Sequence, residues 1–265
     1  MKIRRMIAAL ALVTLSLAAF SVYANHAWST YHWARTANPF TLKVGNNMSS
    51  GWQAPLGTAI SDWNASSVMN LTSVAGTSNK RCSAVAGTVQ VCDGRYGNNG
   101  WLGLATISLT NGHISQGTAK MNNTYFDTAT YNNPNEKLHV VCQEVGHTFG
   151  LDHQSTNGSS LNTCMDYFSN TGANAGSTLS THPNQHDYDE LVTIYTHLDS
   201  FTTIGAAANA PAAMANPTGD DPSEWGKLVS SEGRSEIYEL DFGNGNKNIT
   251  HVLWADDSHG HGNGN

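Results

Sequence analysis

Gln143-Glu-Val-Gly-His147-Thr-Phe-Gly150-Leu-Asp-His153 is the stretch that decides how this chain is read. Positions 143 and 147 are one helical turn apart, so their side chains leave the same face. Glu144 adjoins them. Gly150 suits the left-handed turn that ends a helix, and three residues later His153 can swing back toward that face. Donors converging beside a carboxylate can grip a divalent metal and take a proton from its water. The usual string of this kind has His where Gln143 stands.

An amide oxygen binds zinc, but as a weaker, neutral donor than imidazole. Losing even a supporting residue costs ~10–100-fold in metal affinity, and a lost ligand costs at least that. Three readings stay open. Gln143 is a working ligand; Asp152, beside His153, substitutes for it; or the site has decayed and binds without cutting. His139 is two turns before His147, ~12 Å along the axis, too far to share one ion. Glu144 has no structural task in a dead site, and its presence favours activity.

Downstream lies Cys164-Met165-Asp166-Tyr167. Together with Glu144, His147, Gly150 and His153 this resembles the metzincin zinc metallopeptidases, with Met-Asp-Tyr wording similar to the matrixin branch. The resemblance implies an α+β fold over residues 25–200: a twisted mixed sheet, an active-site helix and a C-terminal helix. It implies Zn²⁺ held by Gln143, His147 and His153, with Glu144 as general base. Met165 is the implied Met-turn beneath the metal, and Tyr167 an oxyanion helper. Leu102 to Ile107 becomes the antiparallel edge strand, to which a peptide substrate adds through main-chain hydrogen bonds. A Cys142–Cys164 bridge would tie the helix to the Met-turn; a thiolate on zinc is the alternative. Calcium is common in such relatives, and Asp127 and the Asn-rich loops offer oxygens, but no calcium loop is recognisable.

The rest of the chain agrees with export. Lys2, Arg4 and Arg5 precede an apolar run, Met6 to Phe20, and a cut is expected after Ala24, so residues 1–24 read as a signal peptide. Losing them removes three positive charges and moves the net charge from −7 to −10. That acidity argues against nucleic acid and anionic membranes as partners. Charged residues are only 12% of the chain, which suits a neutral-polar extracellular surface. Four cysteines in an exported chain suggest two disulfides with three connectivities, and Cys82 and Cys92 are close enough to staple a hairpin.

Strands are expected at 40–44, 68–74, 87–91, 102–109 and 113–121, the last two joined by an Asn-Gly hairpin turn. Trp52, Leu56, Ile60 and Trp63 form one stripe of a helix over 51–65. Asn133 caps the motif helix, with Pro134 in its first turn and Glu136 at its third position. A last helix is expected over 183–198. Residues 201–222 read as a linker, and 223–265 as a small C-terminal β-hairpin around Gly243-Asn-Gly with a Gly/His tail. Trp28, Tyr31 and Trp33 look like an apolar anchor. His26, His32, His113, His182, His186, His197 and His251 read as surface or packing residues.

The expected protein is a secreted, monomeric zinc endopeptidase acting on a protein or peptide substrate. The alternative is a weak or inactive secreted binding protein on the same fold.

Overall fold

The computed structural model describes residues 26–77, 81–205 and 219–255. The expected signal peptide, part of the linker and the Gly/His tail lie outside the described residues. The fold is mixed α+β, built on one eight-stranded mixed sheet in the order β2-β1-β3-β5-β4-β8-β7-β6.

β1 (Phe40–Asn47) shows why these residues form a strand. Phe40, Leu42 and Val44 turn inward while Thr41 and Lys43 face out, the period of two that a pleated strand imposes. It runs parallel to β2 (Met69–Ala75) and β3 (Val89–Gly94), and β3 runs parallel to β5 (His113–Asn122). β4 (Trp101–Thr110) is antiparallel to β5. Their turn uses Asn111 and Gly112, both at positive φ (51° and 80°), as the Asn-Gly signal predicted.

α1 (Gln53–Trp63) follows a short 3₁₀ turn at Ser50–Trp52, so the expected helix begins two residues late. It buries Leu56, Ala59 and Trp63, and the turn before it buries Trp52; Ile60 is only half-buried. A four-residue helix, α2 (Asn123–Phe126), leads to α3 (Pro134–His147), which carries the motif. The Asn133 side chain accepts from the Glu136 amide at 2.9 Å, and Pro134 occupies the first turn. The Glu136 carboxylate does not cap in return, and accepts from the Asn170 amide instead at 2.6 Å. α4 (Gln185–Ile194) has a full capping box between Asn184 and Asp187, and ends four residues short of expectation. α1 and α3 pack together against one face of the sheet. Their shared core includes Trp63, Val140, Val141, Val145 and Phe149.

The C-terminal region departs most from the sequence reading. It contains three strands, β6 (Lys227–Glu232), β7 (Ser235–Gly243) and β8 (Asn246–Trp254), and it continues the main sheet. β8 pairs antiparallel with β4 along its length, setting Gly103 opposite Leu253 and Ala105 opposite His251. β4 is therefore an interior strand, not the edge strand the resemblance implied. Trp101, Leu104, Trp225, Val252 and Trp254 form a second apolar cluster on the far face. That burial explains why the C-terminal strands add to the sheet.

Candidate metal centre

The motif helix is held rigidly. α3 ends at His147, and the turn after it closes at Gly150, whose φ is +96° and where a Cβ would stand 2.2 Å from the Tyr31 carbonyl oxygen. Only glycine meets both demands. The N-terminal anchor is what crowds it. The Trp28 amide donates to the Gly150 carbonyl at 2.6 Å, and the Trp33 indole donates to the Thr148 carbonyl at 2.9 Å. Met165 packs under the helix, since a Cβ on Gly146 would lie 2.7 Å from its Sδ. Both expected disulfides form, Cys82–Cys92 and Cys142–Cys164; the second bridges α3 and the Met165 turn. With no cysteine left free among the described residues, the thiolate-ligand alternative falls away.

His147, His153 and His251 come together. One donor nitrogen from each lies within 4.8 Å of the other two. His147 stacks on His251 with ring centroids 3.7 Å apart, and His153 lies 4.4 Å from His251. The His147 Nδ1–H donates to the Leu151 carbonyl at 2.8 Å, which fixes the tautomer and leaves Nε2 with a bare lone pair. Ser235 Oγ is 2.7 Å from His251 Nε2, and that nitrogen is 3.2 Å from His153 Nδ1. Each ring keeps one nitrogen buried without a hydrogen-bond partner: His147 Nε2, His153 Nε2 and His251 Nδ1.

Burial sets the charge states. It pushes the His147 pKa down to about 4 and those of His153 and His251 well below the imidazole range. All three are neutral at physiological pH, the form that ligates metal. Glu144 is fully buried with neither oxygen hydrogen-bonded, and burial raises its pKa well above the carboxylate range. Tyr167 has its hydroxyl buried without a partner, its ring 4.0 Å from His153, and its pKa raised, chiefly by burial. Its proton stays on, so it can donate.

Gln143 is anchored at one end. Its Nε2 donates to the carbonyls of Cys164 and Asp166, both at 2.9 Å, while its Oε1 is buried with no partner. The Met165 turn thus orients the amide as a backbone carbonyl orients a ligating imidazole. Asp152 Oδ1 lies 3.5 Å from His153 Nδ1, a contact with a neutral ring. His139 is spent on Asn170 and the Asp166 carbonyl, 3.1 and 3.0 Å away. Asp127, the acidic oxygen considered for calcium, pairs with Arg95 at 2.6 Å.

So many orphaned donors in one buried place fit a bound cation. An unsatisfied buried polar atom costs ~1–3 kcal/mol, and natural interiors hold few. A metal ion satisfies several at once. Three neutral imidazoles suit a borderline ion such as zinc. Beside them a cavity of about 80 Å³, lined by His153 and Tyr167 on one side and Ser235 and Ile237 on the other, has room for solvent.

His251 was the residue that sequence reasoning missed. The signal was present: in a strand, Ile249, His251 and Leu253 share one face, and the two neighbours are plainly core residues. β4 runs directly over the site, since a Cβ on Gly103 would fall 2.2 Å from Glu144 Oε1. β8, paired with β4, therefore lies in the track that the resemblance assigned to substrate.

No family model matches the chain, and no curated protein matches it.

Proposed function

We propose that this protein is a secreted zinc endopeptidase whose described conformation is closed. What supports the reading is the buried convergence of His147, His153 and His251 beside an unpaired Glu144. His147 and His153 hold the metal, the Gln143 amide oxygen is a weaker third donor, and His251 is the fourth. Zinc, when bound, polarises a carbonyl and lowers the pKa of a water to ~7.

Four protein donors are the mark of a closed site, and three with an open position the mark of a catalytic one. Withdrawing β8 removes His251 and exposes the free edge of β4 together. An extended peptide then pairs with β4 in place of β8, which selects unfolded segments by their backbone. With β8 withdrawn and a cation beside it, Glu144 would be hydrated and ionised, and would take the proton of the attacking water and pass it to the leaving amine. Tyr167, still protonated, donates to the oxyanion. Ile249, Val252 and Leu253 are each buried, worth ~1.5–3 kcal/mol apiece, so spontaneous withdrawal is rare. Low basal activity follows.

The filled strand track also favours a second reading, a secreted binding protein that does not cut. Metal content and hydrolysis of unfolded casein separate the two. The peptidase reading expects chelator-sensitive cleavage that disappears in Glu144→Gln with zinc retained. Zinc retention with no cleavage at any enzyme concentration supports the binding protein.

A further inference from the structure

A second group of metal-ligating side chains lies outside this centre. His32, His197 and Asp199 place one ligand atom each within 4.8 Å of the others. His32 Nε2 is 3.1 Å from His197 Nε2 and 3.5 Å from Asp199 Oδ2; His197 Nε2 is 3.8 Å from Asp199 Oδ1. In a tetrahedral zinc site with Zn–N of ~2.0–2.1 Å, neighbouring ligand atoms are ~3.3–3.5 Å apart. His32 Nε2 is near that spacing from both His197 Nε2 and Asp199 Oδ2, while His197 Nε2 lies nearer the other carboxylate oxygen, Oδ1, at 3.8 Å. His113 Nε2 approaches the same carboxylate, 3.4 Å from Oδ1.

The supporting contacts are those of a built site. The His32 Nδ1–H donates to the Thr30 carbonyl at 2.7 Å, leaving Nε2 bare and aimed at His197. His113 Nδ1 lies 3.1 Å from the Asn111 carbonyl and can be fixed the same way. This is how ligating histidines are oriented. Asp199 is pinned by the Arg35 amide and guanidinium, which bond Oδ2 at 3.1 and 3.0 Å, and its own amide donates to the Arg35 carbonyl at 2.9 Å. His32 is buried and His197 half-exposed, and a cavity of about 230 Å³ lined by Thr30, His32, Glu190 and His197 gives an ion its way in.

We propose that His32, His197 and Asp199 form a second zinc site, with His113 supporting the carboxylate. Two imidazoles and a carboxylate are a zinc-type donor set. The ion would join three stretches distant in sequence: the N-terminal segment at His32, the β4–β5 turn at His113, and the chain after α4. The N-terminal segment is the one that clamps Gly150, so this ion would stiffen the support of the first centre without touching it.

The test is a zinc titration of the chelator-stripped full-length protein, with free zinc fixed by a metal buffer. Wild type is expected to bind two zinc ions per chain. His197→Ala, a surface change that leaves the core intact and supplies no donor, should bind one and keep any Glu144-dependent hydrolysis. His153→Phe should also bind one, and its remaining ion should still raise the melting temperature, a shift lost in the double variant. Stoichiometry unchanged by His197→Ala overturns the second site. An ion lost in His197→Ala with none lost in His153→Phe overturns the first centre and leaves the second standing.

Discussion

Replacing His251 by Phe separates metal ligation from packing. The ring that stacks on His147 at 3.7 Å is kept in size and shape, and the nitrogens are removed. Two effects follow. In the metal-free protein, His251 Nδ1 is one of three buried ring nitrogens without a partner, each costing ~1–3 kcal/mol. His251→Phe deletes that cost but also removes the partner of Ser235 Oγ, at 2.7 Å, and of His153 Nδ1, at 3.2 Å, neutral contacts of ~1 kcal/mol each. The two sides offset, and the apo protein should stay within ~1 kcal/mol of wild type. At ~2–4 °C per kcal/mol for a chain of this size, melting shifts by at most ~4 °C. In the loaded protein the variant lacks one ligand, so zinc affinity falls at least ~10–100-fold, or ~1.4–2.7 kcal/mol. Calorimetric melting with and without zinc, alongside competition against a chromophoric chelator, reads both numbers. Unchanged zinc affinity would refute the ligand role of His251. A large loss of apo stability would show that the three rings are an ordinary packed and satisfied cluster.

The remaining predictions concern the frame. Gly103→Ala places a methyl 2.2 Å from Glu144 Oε1 and must displace that carboxylate, so hydrolysis should be lost while circular dichroism and zinc content stay native. Removing the Cys142–Cys164 bridge as a double alanine variant frees a 22-residue loop, and denaturant unfolding should show a loss of ~3 kcal/mol. Lys120 is buried under Asp220, their charges 2.7 Å apart, and burial lowers its pKa. Lys120→Met should be close to neutral in urea unfolding, whereas Asp220→Ala takes the carboxylate partner from a buried ammonium and should be clearly the more destabilising change.

Much of the site was legible because it is local. Glu144, His147 and Gly150 are fixed by helical spacing and by one left-handed turn, and Asn133, Pro134 and Asn111-Gly112 announced their elements through backbone chemistry. The C-terminal strands were legible as strands but not as neighbours of β4. Strand pairing across more than a hundred residues is set by which apolar faces meet, here Leu104 and Trp101 with Val252 and Trp254, and a single sequence does not state it. That long-range pairing brings His251 to His147 and converts an apparent edge into an interior strand. The same limit hid the His32, His197 and Asp199 group, whose members are a packing accident of the N-terminal segment and the end of α4 as far as spacing can tell.

On the proposed function, β8 stands where substrate must go. Leu253 is buried, pairs with Gly103 above Glu144, and belongs to the core that holds β8 down. Leu253→Ala should weaken that hold by ~2–5 kcal/mol, a tenfold or greater rise in the open fraction. The direct measurement is the casein hydrolysis rate of zinc-loaded Leu253→Ala against wild type, with Glu144→Gln in the same background. The proposed function requires a rise of at least tenfold that Glu144→Gln abolishes. A folded, zinc-loaded Leu253→Ala protein that cleaves no faster than wild type, or one whose added cleavage survives Glu144→Gln, contradicts it.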